Sequence, residues 1–170
     1  MDAAVALRPG APVELTFNGP TQRRGLRSVV LRPGVIDDDV REAFSWRYCH
    51  LLACALHEIT GWPFGVMEQR QTSGRWRWVH AAVVTPAGLL LDVNGVRDWR
   101  EAEAERASFG GPFRLTHVNT VAPLYRMFGL PEFTPDSWWR GEFSGAGTPA
   151  IVRLAHDLLD REFGALSEVA

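Results

Sequence analysis

The 170-residue chain is 46% hydrophobic and 22% charged, which suits a compact globular fold, and its formal net charge of -2 offers no basic field to hold nucleic acid or an anionic membrane. No apolar run reaches the roughly 18 residues a membrane-spanning helix needs, and the Ala/Val-rich start has no basic leader, so one cytosolic domain is expected, with export by a route that leaves no cleavable signal as the alternative. All 18 Lys-or-Arg positions are Arg, most simply through a GC-rich coding sequence, with avoidance of lysine modification as the functional alternative.

Residues 1–12 read as a loose terminus. Val13–Phe17 and Leu26–Leu31 read as short strands, separated by Asn18-Gly19-Pro20 and the polar loop Gln22–Gly25. Asp37, Asp38 and Asp39 supply an N-cap and first-turn carboxylates for a short helix ending near Phe44. The strongest helical segment is Cys49–Thr60, where Leu52, Ala55, Leu56 and Ile59 recur at helical spacing and Gly61 with Pro63 supplies the stop.

An antiparallel meander follows. Phe64–Arg70, Arg75–Val84 and Leu89–Val93 read as strands, joined by turns at Thr72-Ser73-Gly74 and Pro86-Ala87-Gly88. Arg97–Ala107 is expected as a solvated helix, Phe113–Val118 as a further strand and Val121–Phe128 as a short helix. A Pro- and Trp-rich stretch to Gly147 is expected to lie over the surface, and Ala150–Phe163 closes the chain as an amphipathic helix.

Cys49 and Cys54 sit five apart on one helix, with side chains about 140° apart, so no disulfide joins them. Cys54 reads as core. Cys49 falls at the helix start, where unpaired amides and the macrodipole lower a thiol's pKa and can hold an oxyanion. It shares a face with Leu52, Ala53 and Leu56, which turns its thiol toward the sheet.

A thiolate nucleophile needs a base, and the base a third group to orient it. His80 lies within the apolar strand and Asp92 closes the next. If Thr85 and Gly88 pair across their turn, His80 stands opposite Val93 with Asp92 or Asn94 as its neighbour. The plain alternatives are a satisfied core histidine for His80 and a turn cap before Gly95 for Asp92.

Cys49-x-x-Leu52-Ala53-x-Ala55-Leu56, then Thr60-Gly61-Trp62-Pro63, then His80-Ala81-x-Val83, Pro86-x-Gly88 and Leu91-Asp92-Val93-x-Gly95, resembles the ordered Cys, His, Asp pattern of papain-like and transglutaminase-like enzymes over about residues 45–96. That resemblance implies an α+β fold in which a helix bearing Cys at its N-terminus packs on an antiparallel β-sheet. It implies Cys49 as nucleophile, His80 as base and Asp92 as its orienting group, acting on a peptide or protein substrate that carries an amide or acyl group. No cofactor is implied. The glutamine that often completes the oxyanion hole upstream of the cysteine has no counterpart, position 43 being Ala43, and Tyr48, His50 and Asn94 are the substitutes considered.

Peptidase, deamidase and acyl-transfer chemistry share these steps. A non-catalytic binding or immunity module on a degenerate fold is the main competitor, and a toxin or effector using the same triad is the other. His50, His57 and Glu58 lack the second His of a zinc-peptidase helix, so no metal site is expected. His117 is expected at the surface. The seven tryptophans, several beside arginine, read as cover for the core edge, with a substrate groove as the alternative.

Overall fold

The computed structural model describes residues 10–131 and 134–164, with Tyr125 described in its backbone alone. The expected loose terminus therefore lies almost wholly outside the described residues. β1 (Val13–Thr16) and β2 (Ser28–Leu31) form an antiparallel ribbon with Val13 opposite Leu31. β2 starts later than its sequence suggests because Leu26 closes a turn with Thr21, donating its N–H to Thr21 Oγ1 at 2.9 Å. α1 (Asp38–Trp46) begins under the Asp37 carboxylate, which accepts from the Val40 N–H at 3.0 Å, and it runs past the expected end at Phe44.

α2 (Cys49–Thr60) has the bounds its sequence predicts, and Gly61, with φ 70, ends it by donating to the His57 carbonyl at 2.7 Å. Cys49 and Leu51–Leu56 are all buried, so the helix is apolar on nearly every side and belongs in the interior. It packs on the sheet, on α1 and on α5 (Gly147–Phe163). Leu51, Leu52 and Leu56 are at most 1% exposed, and each contributes about 1.5–3 kcal/mol by leaving water.

The sheet contains β3 (Phe64–Arg70), β4 (Trp76–Val84), β5 (Leu90–Asp92), β6 (Gly95–Arg97) and β7 (Phe113–Val118) in the order β6-β5-β4-β3-β7. Every neighbouring pair is antiparallel, and with the helices this makes an α+β fold. Phe64, Val66, Ala81, Val83, Leu91 and Val93 join the main core with the buried residues of α2. Ala82, Val84 and Leu90 form a second cluster with Trp99 and Leu115.

Two features of the sheet bear on the site. Val83 faces Leu91 and Val84 faces Leu90, one residue away from the expected register. The cause is the turn: Thr85 donates to the Leu89 carbonyl at 2.8 Å, leaving Pro86-Ala87-Gly88 as a three-residue loop with Gly88 at φ 81. Opposed residues share a face, so the expected register would have turned Asp92 away from His80, whereas the observed one puts both on the same face. In addition, Met67 faces His80 while Glu68 faces Trp78, which leaves Val79 as an extra residue and bulges β4 beside His80.

The sequence misses β6, because Val93-Asn94 forms a tight turn and returns the chain at once. The expected solvated helix is the shorter α3 (Trp99–Glu105), and it is not wholly solvated: Ala102 and the following Arg106 are completely buried. Most described residues of the Trp-rich stretch are exposed, as a surface cover would be, but one tryptophan sinks inward. The stretch follows α4 (Leu124–Met127), and Trp139 is only 3% exposed within the core. Among the described residues no helix is long and apolar enough to cross a membrane.

Candidate active site

Cys49 is the first residue of α2, after Tyr48, whose side chain makes no capping bond. The Leu51 and Leu52 amides turn back on the Tyr48 carbonyl at 3.1 and 3.4 Å, which leaves those of Cys49 and His50 as the first-turn donors outside the helix ladder. Cys49 is 4% exposed, yet it lines a cavity of about 400 Å³ with Gln22, Trp46, Arg77, Trp78 and Phe109 among its walls. Burial pushes its thiol up, but hydrogen bonding and charge from His50 and His80 bring it down from 9.0 to about 5. Cys54, completely buried, is pushed well up by burial and behaves as core.

His80 is completely buried and its Nε2 lies 2.8 Å from Asp92 Oδ2. Asp92 serves two purposes. Oδ1 accepts the Asn94 N–H at 2.8 Å, the turn cap that its position suggests, while Oδ2 holds His80 and also accepts from Arg97 Nε at 3.2 Å and Nη2 at 2.6 Å. Burial raises the Asp92 carboxyl, and His80 with Arg97 outweighs it, holding the group well below the usual carboxylate range. For His80, burial and Arg106 pull downward while Asp92 and Cys49 pull upward, and the net direction is up.

Arg106 was not anticipated. Its guanidinium donates from Nη2 to the Ser45 carbonyl at 2.8 Å and reaches His80 Nδ1 at 3.0 Å. Nη1 donates to the Ala102 carbonyl at 3.2 Å and Glu105 Oε2 at 3.4 Å, and the group lies over the Trp46 ring, 4.6 Å from its centroid. A guanidinium only donates, so the bond to Nδ1 requires a ring protonated at Nε2 and giving that hydrogen to Asp92. Arg97 was equally unforeseen; its Nη1 bonds Glu105 Oε1 at 2.5 Å, tying β6 to the end of α3. Nothing in the local sequence marks either residue, since arginines in a Glu- and Ala-rich stretch read as solvated.

The weaker expectations separate. His50 is beside the thiol and stacks on Trp138 at 5.8 Å, with Trp78 and Phe128 completing the cluster. Tyr48 packs between Phe17 and Phe143, each ring 5.0 Å away, and its hydroxyl accepts from Arg47 Nε at 3.1 Å. Asn94 donates from Nδ2 to Ser45 Oγ at 3.0 Å and lines a neighbouring cavity instead. Neither Tyr48 nor Asn94 lines the Cys49 cavity, as oxyanion donors would; the amide side chains that do are Gln69, whose Nε2 is held by the Phe109 carbonyl at 2.6 Å, and Gln22, brought in by the polar loop when its backbone N–H meets the Trp46 carbonyl at 3.4 Å.

His57 donates from Nδ1 to the Trp62 carbonyl at 2.7 Å, Glu58 pairs with Arg140, and His117 is exposed. No known protein family, curated protein or solved structure matches the chain.

Proposed function

We propose that the chain is a thiol-dependent amide or acyl hydrolase or transferase with a papain-like or transglutaminase-like core, acting through a covalent acyl-Cys49. The observation that carries the reading is a buried Cys49 thiol, opening on a cavity, beside a His80 that is hydrogen-bonded to Asp92 at 2.8 Å. The Cys49 thiolate attacks the substrate carbonyl, and the Cys49 and His50 amides receive the oxyanion. His80 passes its proton to the leaving group as the carbon–nitrogen or carbon–oxygen bond breaks. It then takes a proton from water, or from an acceptor amine, which attacks the acyl carbon and releases the thiolate. Asp92 keeps the ring oriented throughout.

Arg106 gives a specific ground for a second reading, a non-catalytic binding module. While its Nη2–H occupies His80 Nδ1, that nitrogen cannot take the thiol proton, so catalysis requires Arg106 to release it. Titration of the thiols separates the two. Iodoacetamide with mass spectrometry is expected to alkylate Cys49 with a midpoint near 5, leaving Cys54 unmodified. A Cys49 that titrates as an ordinary thiol, near about 8.5, would favour the binding module. On peptide amides and glutamine side chains, any turnover found is expected to vanish in Cys49→Ala.

A further inference from the structure

Among the described residues, the charged side chains lining the Cys49 cavity are Arg47 and Arg77, and no carboxylate lines it. The two arginines are not equivalent. Arg47 is engaged, bonding the Asn18 side-chain oxygen, the Tyr48 hydroxyl at 3.1 Å and the Pro20 carbonyl at 3.4 Å. Arg77 stands exposed on β4 opposite Gln69, and its guanidinium has no hydrogen bond or ion pair among the described residues. Gln69 does not serve it: its Nε2 is held by the Phe109 carbonyl at 2.6 Å and by the Gly110 carbonyl, while its Oε1 accepts from Gln71 at 3.0 Å.

Trp46, Trp78, Val79 and Phe109 supply apolar walls around these cations. Low-dielectric walls focus the field of a charge into the space between them, so the cavity concentrates anions near the thiol. A single free guanidinium offers a planar fork that matches one carboxylate. A phosphate monoester fits the same fork but brings about −1.5 to −2 of charge, which one free cation does not match as it does a single carboxylate.

Resting on the acyl-transfer reading above, we propose that the substrate's acyl part carries a carboxylate that pairs with Arg77 while its carbonyl meets Cys49. Arg77 is thus a residue that selects the substrate. It selects against basic acyl groups by the same charge.

Iodoacetate and iodoacetamide test this without a known substrate. Both react by one step, in which the Cys49 sulfur bonds the methylene carbon and iodide leaves, and they differ in carrying a carboxylate or a neutral amide. With iodoacetamide rates as the reference, Arg77→Gln is expected to slow iodoacetate alkylation of Cys49 by about fivefold, the factor a partly exposed charge pair supplies, while Arg77→Lys keeps most of the rate. The wild-type preference should shrink as salt is added. An iodoacetate-to-iodoacetamide ratio unchanged in Arg77→Gln overturns the proposal. Slow, ordinary reaction of Cys49 with iodoacetamide overturns the acyl-transfer reading and this proposal with it, so the two failures are distinct.

Protection of Cys49 from iodoacetamide by succinamate or by N-acetyl-aspartyl-glycinamide identifies a small acid or an acidic peptide as the source of the carboxylate. Protection by either, weakened in Arg77→Gln, supports the assignment. Protection by neither at tens of millimolar, or protection indifferent to Arg77, counts against it.

Discussion

Cys49 and His80 move each other's titration in opposite directions, and this coupling defines a pH window. Cys49 has its pKa lowered from 9.0 to about 5, so the fold favours its thiolate; that contribution to stability is complete above the ordinary value and is lost as the pH falls toward 5. His80 is raised above 6.5, so its imidazolium is stabilised at low pH and the contribution disappears as the pH climbs through the raised value. Once Arg106 releases Nδ1, a thiolate–imidazolium pair is favoured from about 5 to beyond 6.5, and a bell-shaped rate profile is expected across that range. Asp92→Asn removes the hydrogen-bonded anion that lifts His80. The alkaline limb should move to lower pH and turnover should fall by about 10⁴-fold; an alkaline limb that stays in place would deny Asp92 its orienting role.

Among the secondary elements, α2 and the β4–β5 hairpin do most to bring the groups together. α2 begins and ends at residues its sequence marks, since the apolar run starts at Cys49 and Gly61 takes the left-handed conformation that stops it. The hairpin is less legible. A turn of Pro-Ala-Gly accommodates more than one closing pair, and the choice is made by Gly88 at φ 81, which completes a three-residue loop and shifts the strand partners by one. A Cβ at Gly88 would meet nothing within 4 Å, so Gly88→Ala strains the backbone alone. It is expected to cost about 1–2 kcal/mol in urea unfolding. Loss of the Cys49 reactivity window in the same variant would show that the turn also governs the His80–Asp92 register.

Across the whole molecule, a buried polar network joins parts that no local motif connects. Arg106 bonds Ser45 on α1 and His80 on β4, and Asp92 on β5 bonds Arg97 on β6, which reaches Glu105 on α3. Fully buried charge is stable only when its donors and acceptors are matched, so removing one member exposes the rest to an unpaid desolvation cost. Arg106→Met is expected to lower stability by about 2 kcal/mol or more, read from urea midpoints. It also removes a positive charge that depresses His80, so the alkaline limb should move to higher pH. A loss of stability with an unchanged profile would make Arg106 a structural residue only.

Local chemistry was enough to mark α2, β3, β7 and the separate candidate residues Cys49, His80 and Asp92, because helical spacing, apolar strand runs and glycine stops are written within a few neighbouring residues. The same kind of reading overlooked Arg97 and Arg106: an arginine in a Glu-rich stretch looks solvated until distant carbonyls, a carboxylate and the Trp46 ring are folded around it. It also misplaced the strand register and could not join Gln22 or Arg77 to the Cys49 cavity. The register turned on the conformation of one short loop, whereas the places of Arg106, Gln22 and Arg77 depend on chain segments tens of residues apart that packing a shared interior brings together.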